Sequence, residues 1–205
     1  MKPIKNIIFD IGNVLFKYDP HFITESLLPK SPHKEFYVNE LFDSPIWQSL
    51  DRGDIRPIQA IEKIKSLHSI SPEQEKDLQF LISNFSLHLI LNEDMKNIFE
   101  KNSTDYNLYI LSNFQEESFQ LLVQKYPFLK KAKGTVISSK INMKKPELGI
   151  FHYLLTQYSI IPQESIFIDD LKENITSAEQ LLIKGIHFIS AEQTKKHLSK
   201  FNINV

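Results

Sequence analysis

The chain has 205 residues, of which 41% are hydrophobic and 24% are charged, a composition typical of a folded globular protein. With a formal net charge of −1, no global electrostatic field favours nucleic acid or an anionic membrane, so we expect neither as a partner. The chain has no cysteine and no apolar run near the roughly 20 residues that span a bilayer, and the few apolar residues before Asp10 do not resemble a signal peptide. We therefore expect a cytoplasmic protein without disulfides or thiolate chemistry. The sequence leaves the oligomeric state open.

The first predicted element is a short strand at residues 6–9. Its β-branched and aromatic residues form an apolar run that ends at Asp10, and Gly12 and Asn13 follow at once as turn residues. Ligands of open α/β sheets bind beyond the carboxyl ends of the strands. We therefore expect the Asp10 carboxylate to project into such a crevice.

Residues 20–91 show helical periodicity and no convincing strand. Prolines and a turn at residues 51–54 divide this block into short helices. The predicted helices cover residues 21–28, 33–42, 57–67 and 71–85. About seventy residues of helix are thus inserted after the first strand.

From residue 92 onward, strands alternate with helices. The predicted strands are 108–111, 135–137, 166–168 and 186–189, and the predicted helices are 94–101, 116–126, 146–158, 175–183 and 191–199. We expect Gly185 to end the helix at 175–183 as a C-terminal cap. Such alternation predicts an α/β fold in which helices cover both faces of a parallel sheet.

Polar side chains follow three of the predicted strands. They are Asp10 after the first, Ser112 and Asn113 after the second, and Asp169 and Asp170 after the strand at 166–168. Parallel strands bring these ends to one edge of the sheet. Carboxylates packed closely repel each other, and a hard divalent cation such as Mg²⁺ relieves that repulsion. Together with a nearby lysine, Lys144 or Lys145, the set suits a divalent cation and a phosphate.

Each of these groups also has a simpler interpretation. Asp10 alone could stabilise the turn after its strand, and Ser112 and Asn113 alone could cap the next helix. Asp169 and Asp170 could do the same for the helix that follows them. The order of the groups and their shared position at strand ends favour a functional site.

Four motifs in this order resemble the haloacid dehalogenase-like hydrolase superfamily over nearly the whole chain. They are FDIGNVL, LYILSN, KKPELGIF and FIDDLKENITSAEQL, and the helical block stands where the type 1 cap of the superfamily stands. The closest likeness is to the sugar-phosphate phosphatase-like branch. The resemblance implies a Rossmann-like core of residues 1–16 and 92–205 and a small helical cap of residues 17–91.

The resemblance also implies roles for the phosphate-handling residues. Asp10 would be the nucleophile that forms a phosphoaspartate. Ser112 and Asn113 would hold the phosphoryl oxygens, and Lys145 would balance the negative charge of the nucleophile and the phosphate.

The resemblance implies a Mg²⁺ cofactor as well. Its ligands would be the carboxylates of Asp10, Asp169 and Asp170 and the main-chain carbonyl of Gly12. The superfamily usually has a second aspartate, a general acid and base, where this chain has Gly12. Asp19 and His21, which follow the first motif, are candidates to replace it.

These features predict a Mg²⁺-dependent phosphatase of a small phosphorylated metabolite, a sugar phosphate being one candidate, whose substrate is selected by the cap. Gly12 motivates one alternative, a catalytically impaired relative that binds a ligand or regulates a partner. A 2-haloacid dehalogenase is the other alternative, and it is disfavoured because that metal-free reaction gives no role to the acidic pair Asp169 and Asp170.

Overall fold

The computed structural model describes residues 3–203 and contains a five-stranded, fully parallel sheet. Its strands are β1 (Asn6–Phe9), β4 (Asn107–Ser112), β5 (Gly134–Ile137), β6 (Ser165–Asp169) and β7 (Lys184–His187), and a separate two-stranded ribbon joins β2 (Phe16–Lys17) to β3 (Ile90–Leu91). The strand order in the main sheet is β5-β4-β1-β6-β7.

The first strand lies at the centre of this sheet. In β1, Phe9 is in register with Ile110 of β4 and with Ile168 of β6. Ile7 belongs to the apolar cluster on one face of the sheet, and Ile8 belongs to the cluster on the other face. Both faces are buried because helices cover each of them, as parallel sheets require. The predicted α/β fold is confirmed.

The predicted helices are all present, with ends that differ by up to three residues. They are α1 (Pro20–Leu27), α2 (Lys34–Tyr37, continued by a π-helical turn, Val38–Phe42), α3 (Pro45–Arg52), α4 (Pro57–Leu67), α5 (Pro72–Asn84), α6 (Glu93–Asn102), α7 (Glu116–Lys125), α8 (Ser138–Ile141), α9 (Leu148–Gln157), α10 (Lys172–Gln180) and α11 (Ala191–Ser199). Helices α3 and α8 are not among the predicted elements. Among residues 3–203, no helix combines the length and the apolarity needed to cross a bilayer.

The two connections to the helical block run side by side. Phe16 pairs with Leu91 and Lys17 with Ile90 in the antiparallel ribbon. Next to the ribbon, the main-chain N–H of Asn92 donates to the carbonyl of Leu15 at 2.9 Å. Neither strand of the ribbon is predicted by the sequence, because two residues are too few to show alternation. We call residues 17–91, which include α1 to α5, the inserted segment.

The sequence predicted a turn at residues 51–54, whereas the structure continues α3 through Arg52. Ser44 caps the start of α3 by accepting from the main-chain N–H of Ile46 at 3.2 Å, and Pro45 follows. Gly53 ends the helix with φ +84°, a conformation that glycine adopts readily. Asp51 therefore lies on the last turn of α3, four residues after Trp47 and on the same helix face.

The prediction that Gly185 caps a helix is wrong, and the last strand lies two residues earlier than expected. Helix α10 ends at Gln180, and Leu182 takes the left-handed step with φ +66°. Gly185 lies inside β7, where a Cβ atom would overlap the Ile175 side chain of α10. Glycine is required at position 185 because α10 packs closely against β7, and not because the chain reverses direction there.

Candidate active site

Most of the predicted site residues meet at a cavity of ≈ 220 Å³ beyond the carboxyl end of the sheet. Its lining includes Asp10, Gly12, Ser112, Asn113, Lys145 and Asp170. They meet because β4 and β6 flank the central strand β1, which brings the three strand ends together. Asp169 is fully buried and reaches the site through its contact with Lys145.

Lys145 is the buried cation of this site. Its Nζ lies 2.8 Å from Oδ1 of Asp10 and 2.6 Å from Oδ2 of Asp169. Burial lowers the pKa of Lys145, but the two carboxylates raise it by more, so the ammonium group stays charged. Lys144, the other candidate, is only partly buried and contacts Gln48 in the inserted segment.

The Asn113 side chain fixes the main chain at Lys145. Its Nδ2 donates to the Lys145 carbonyl at 3.0 Å, and its Oδ1 accepts from the Lys145 N–H at 2.8 Å. This reciprocal pair joins the end of β4 to the loop before α9. The side-chain amide of Asn113 thus positions Lys145, so the phosphoryl contact predicted for Asn113 would have to come from its main chain.

Asp10 combines burial with several donors. Its Oδ1 accepts from the main-chain N–H of Ile11 at 2.7 Å and from Lys145. Burial raises the pKa of Asp10 to about 7; Lys145 opposes this shift, Asp169 adds to it, and the Ser112 hydroxyl opposes it by hydrogen bonding. A further positive charge at the site would favour the ionised carboxylate.

Asp169 and Asp170 have different surroundings. Asp169 Oδ1 accepts from the N–H of Leu171 at 2.9 Å and from Asn174 Nδ2 at 2.8 Å, while Oδ2 accepts from Lys145. Both oxygens of Asp169 are therefore used to hold neighbouring groups. Asp170 lies at the cavity, and burial raises its pKa.

The acidic cluster fits a hard divalent cation. Asp10, Asp169 and Asp170 each offer a carboxylate oxygen, and these oxygens lie within 4.8 Å of one another. Oxygen donors of this kind suit Mg²⁺. Gly12 lines the same cavity, as its predicted carbonyl role requires. Because Asp169 is already engaged, the geometry favours Asp10 and Asp170 for direct ligation.

Two asparagines support the site in a way that the sequence did not predict. Asn13 adopts φ +54°, donates through Nδ2 to Asp170 at 3.1 Å and accepts from the Tyr18 N–H at 3.1 Å. Asn174, which is buried, holds Asp169. Two sequence features could have indicated these roles. Asparagine tolerates the left-handed conformation that Asn13 adopts in its turn, and Asn174 lies one helical turn after Asp169 and Asp170.

The structure places neither candidate replacement for the missing aspartate at the cavity. Asp19 caps α1 by accepting from the N–H of Phe22 at 3.1 Å and pairs with Lys17 at 2.9 Å. The His21 side chain is 65% exposed and faces Glu35 at 3.5 Å. The inserted segment instead contributes Tyr18 and Asp51 to the cavity lining, which no local sequence signal indicated.

Four aromatic side chains form the apolar side of the cavity, which we call the aromatic wall: Tyr18, Trp47, Phe85 and Phe114. The ring centroids of Tyr18 and Trp47 are 6.4 Å apart, those of Trp47 and Phe85 4.7 Å, and those of Phe85 and Phe114 5.4 Å. Three of the four residues come from the inserted segment. The cavity therefore has a charged end made by strand ends and an aromatic end made largely by the insertion.

Several known proteins are similar to this chain in sequence or in structure. The model of a protein family described as haloacid dehalogenase-like hydrolase matches residues 7–188. A sesquiterpene phosphatase of Aspergillus oryzae is 25% identical over 191 residues, which cover 93% of this chain and 92% of that protein. A drimenol cyclase of Aspergillus calidoustus is 24% identical over 200 residues, which cover 96% of this chain but 36% of the cyclase, so the chain spans about a third of that relative.

A solved structure has the same fold. It is a HAD family enzyme of Bacteroides thetaiotaomicron in complex with magnesium and inorganic phosphate, with a TM-score of 0.71 and 22% identity. The match covers 89% of this chain and 93% of that one.

Proposed function

The chain belongs to the haloacid dehalogenase-like hydrolase family, and on this premise we propose that it is a Mg²⁺-dependent phosphatase of a small phosphorylated organic molecule. The observation that carries the proposal is the buried Asp10 carboxylate, ion-paired with Lys145 at 2.8 Å beside a cluster of carboxylates. A nucleophile, a fixed cation and oxygen ligands for a divalent cation are the groups that phosphoryl transfer needs.

Four residues of the chain act in the first step, the transfer of the phosphoryl group to Asp10. An oxygen of Asp10 attacks phosphorus, forming a phosphoaspartate and breaking the bond to the organic oxygen. The Ser112 hydroxyl and the main chain at Asn113 hold phosphoryl oxygens, and Lys145 offsets the negative charge that gathers around them. Asp169 keeps Lys145 in place.

The metal would be held by Asp10, Asp170 and the carbonyl of Gly12. Asp169 is the fourth predicted ligand, although its hydrogen bonds suit a positioning residue better. When bound, Mg²⁺ supplies positive charge that binds the phosphate and lowers its repulsion with the carboxylates. The solved relative with magnesium and inorganic phosphate supports this choice of cofactor.

We also propose that residues 17–91 form a cap over a core of residues 1–16 and 92–205, and that this cap selects the substrate. In this proposal, the residues at the strand ends contact only the phosphate group, with its attacked phosphorus, and the metal. The cap supplies three of the four residues of the aromatic wall and excludes water from the reaction.

The aromatic wall favours an apolar alcohol over a sugar as the organic part of the substrate. A sugar needs several hydrogen-bond partners, whereas within residues 3–203 the inserted segment brings polar side-chain atoms to the cavity on three residues, Tyr18, Trp47 and Asp51, two of which are aromatic. The relative named as a sesquiterpene phosphatase supports the same choice. A phosphate ester of a hydrophobic alcohol is therefore the substrate class we propose.

Phosphate release by the purified protein tests the proposal. The panel contains p-nitrophenyl phosphate, alkyl and prenyl phosphates and hexose phosphates, each with Mg²⁺ and with EDTA, and Asp10→Asn is the inactive control. We expect Mg²⁺-dependent release, with higher kcat/KM for the apolar phosphates than for hexose phosphates.

Other outcomes of this panel point to the alternatives. Halide release from 2-haloacids in EDTA would identify a dehalogenase. Thermal stabilisation by inorganic phosphate with no turnover of any ester would identify the catalytically impaired binding protein. Preference for hexose phosphates would overturn the substrate class and leave the phosphatase proposal standing.

A further inference from the structure

The inserted segment brings into the cavity a carboxyl group that the proposed mechanism has not used. Asp51 lies on the last turn of α3 and lines the same cavity as Asp10. Its position is fixed from the core side, because its main-chain carbonyl accepts from the Ser138 hydroxyl. The carbonyl of Gly53 also accepts from Asn142 Nδ2 at 2.8 Å.

Both half-reactions of a phosphoaspartate mechanism move a proton. The organic oxygen needs a proton when its bond to phosphorus breaks, unless it is a stable anion, and the water that hydrolyses the phosphoaspartate must lose one. Among the described carboxyl groups that line the cavity, Asp10 is the nucleophile and Asp170 faces the metal position. Gly12 carries no side chain. Asp51 remains.

We propose that Asp51 is the general acid and base of this enzyme, a catalytic residue supplied by the inserted segment. The inference rests on the proposed phosphatase function. The cap would then take part in proton transfer as well as in substrate selection. Catalysis would therefore require the cap to be packed against the core.

In the first step, an Asp10 oxygen forms a bond to phosphorus while the bond from phosphorus to the organic oxygen breaks. The electron pair of that bond goes to the organic oxygen, which takes the proton of the Asp51 carboxylic acid and leaves as the alcohol.

In the second step, the Asp51 carboxylate takes a proton from water as the water oxygen bonds to phosphorus. The bond between Asp10 and phosphorus breaks, and its electron pair returns to the Asp10 carboxylate. Hydrogen phosphate leaves, and Asp51 is again a carboxylic acid. The net reaction consumes one ester and one water.

The surroundings of Asp51 suit both protonation states. Burial raises the pKa of Asp51 to about 7; Gln115 and Lys144 oppose this shift, and Asp10 adds to it. Gln115 Nε2 lies 3.4 Å from Asp51 Oδ1. An acid and base works best when its pKa is near the operating pH.

Tyr18 gives a second sign of a ligand at this place. Its hydroxyl group is buried and has no hydrogen-bond partner within the described part of the chain, yet its side chain lines the cavity. Buried hydroxyl groups are rarely left without a partner. A substrate oxygen near Asp51 would supply one.

The test compares Asp51→Asn with Asp43→Asn, an exposed aspartate of the same segment, on esters with good and poor leaving groups. For an alkyl phosphate, whose alkoxide must be protonated, we expect Asp51→Asn to lower kcat/KM by about 10²- to 10⁴-fold. For p-nitrophenyl phosphate, whose anion leaves unaided, we expect a loss of kcat/KM below about tenfold.

Pre-steady-state kinetics separate the two half-reactions. With p-nitrophenyl phosphate, we expect Asp51→Asn to release about one nitrophenol per active site in a burst and then to turn over slowly, because the phosphoaspartate lacks its base. Asp51→Glu, which keeps a carboxyl group, should recover part of the alkyl phosphate activity. Asp43→Asn should resemble the wild type in each assay.

Two results would overturn the assignment. One is an Asp51→Asn variant that hydrolyses the alkyl phosphate at the wild-type rate. The other is an equal loss of kcat/KM on both esters without a burst, which a merely structural role would give. A wild-type protein without Mg²⁺-dependent turnover would instead overturn the proposed function on which the assignment rests.

Discussion

At the scale of single residues, the site is a group of buried charges that depend on one another. Lys145 lies between Asp10 and Asp169, and each of the three would be costly to bury alone. Removing one partner of such a buried pair typically costs about 3–5 kcal/mol of stability, because the other charge is left uncompensated. The arrangement therefore fixes Asp10, the proposed nucleophile, and the Lys145 cation relative to each other before any substrate binds.

Magnesium affinity should increase with pH. Burial raises the pKa of Asp10 from 3.8 to about 7 and raises that of Asp170, so protons compete with the metal below neutral pH. The folded protein without metal also binds the Asp10 proton more tightly than the unfolded chain, so this group lowers stability as the pH rises from 3.8 to about 7. We expect calorimetry to show Mg²⁺ binding strengthening from about pH 5.5 to about pH 8.

Asp170→Asn tests which carboxylate carries this metal affinity. We expect it to weaken Mg²⁺ binding by at least about tenfold while the fold survives, because it removes one of the proposed anionic ligands. Asp105→Asn, at an exposed position outside the cavity, is the control. Wild-type affinity in Asp170→Asn would place the metal elsewhere.

At the scale of secondary-structure elements, close approach decides where glycine is needed. A Cβ at Gly185 would overlap Ile175 of α10, and a Cβ at Gly53 would lie 2.9 Å from the Ser139 Cα of α8. The first glycine lets α10 pack onto β7, and the second lets the end of α3 dock on the core. The second contact is the one that positions Asp51.

Gly185→Ala should lower the free energy of unfolding by about 1–3 kcal/mol, because the added methyl group overpacks the contact between α10 and β7. Urea unfolding followed by circular dichroism measures the change. Gly149→Ala is the matched control: it lies in α9, where a Cβ would meet the flexible end of Met143 at 3.2 Å. Alanine there should leave stability unchanged or raise it by up to about 1 kcal/mol. An unchanged stability in Gly185→Ala would contradict the packing argument.

At the scale of the whole molecule, the core and the inserted segment together form one cavity. The core supplies the charged end, and the inserted segment supplies Asp51 and most of the aromatic wall. Besides the hydrogen bonds from Ser138 and Asn142, an ion pair between Arg52 and Glu147 joins α3 to the core. Substrate turnover should therefore depend on these contacts, whereas Mg²⁺ binding, for which we propose core residues alone, should not.

Weakening the contacts tests this separation. We expect Arg52→Met combined with Asn142→Gly to lower kcat/KM by about three- to tenfold, as loss of an ion pair and a hydrogen bond would cause, with no change in Mg²⁺ affinity. Lys65→Met, which breaks an ion pair with Glu75 inside the inserted segment, is the control. Equal losses of Mg²⁺ affinity and kcat/KM would show that the two functions are not separable.

The sequence by itself determined the sheet and the charged end of the cavity. Buried strands have a strong local pattern, and the strand-end positions of Asp10, Ser112 and Asp170 follow from that pattern once the strands are parallel. The motif order also identified the family. The local sequence could not give the two-residue strands of the ribbon or the length of α3, because those elements are set by their neighbours.

Only the tertiary structure decided which side chains complete the site. Asp51 and Trp47 are far in sequence from Asp10, and docking of α3 on the core brings them to the cavity. Asp169 and Asp170 cannot be told apart in the sequence. In the structure, Asp169 holds Lys145 and Asn174 through hydrogen bonds, whereas Asp170 lines the cavity. The hydrophobic periodicity of a helix or strand shows which of its faces is buried. The residues that pack against that face depend on how segments distant in the chain come together.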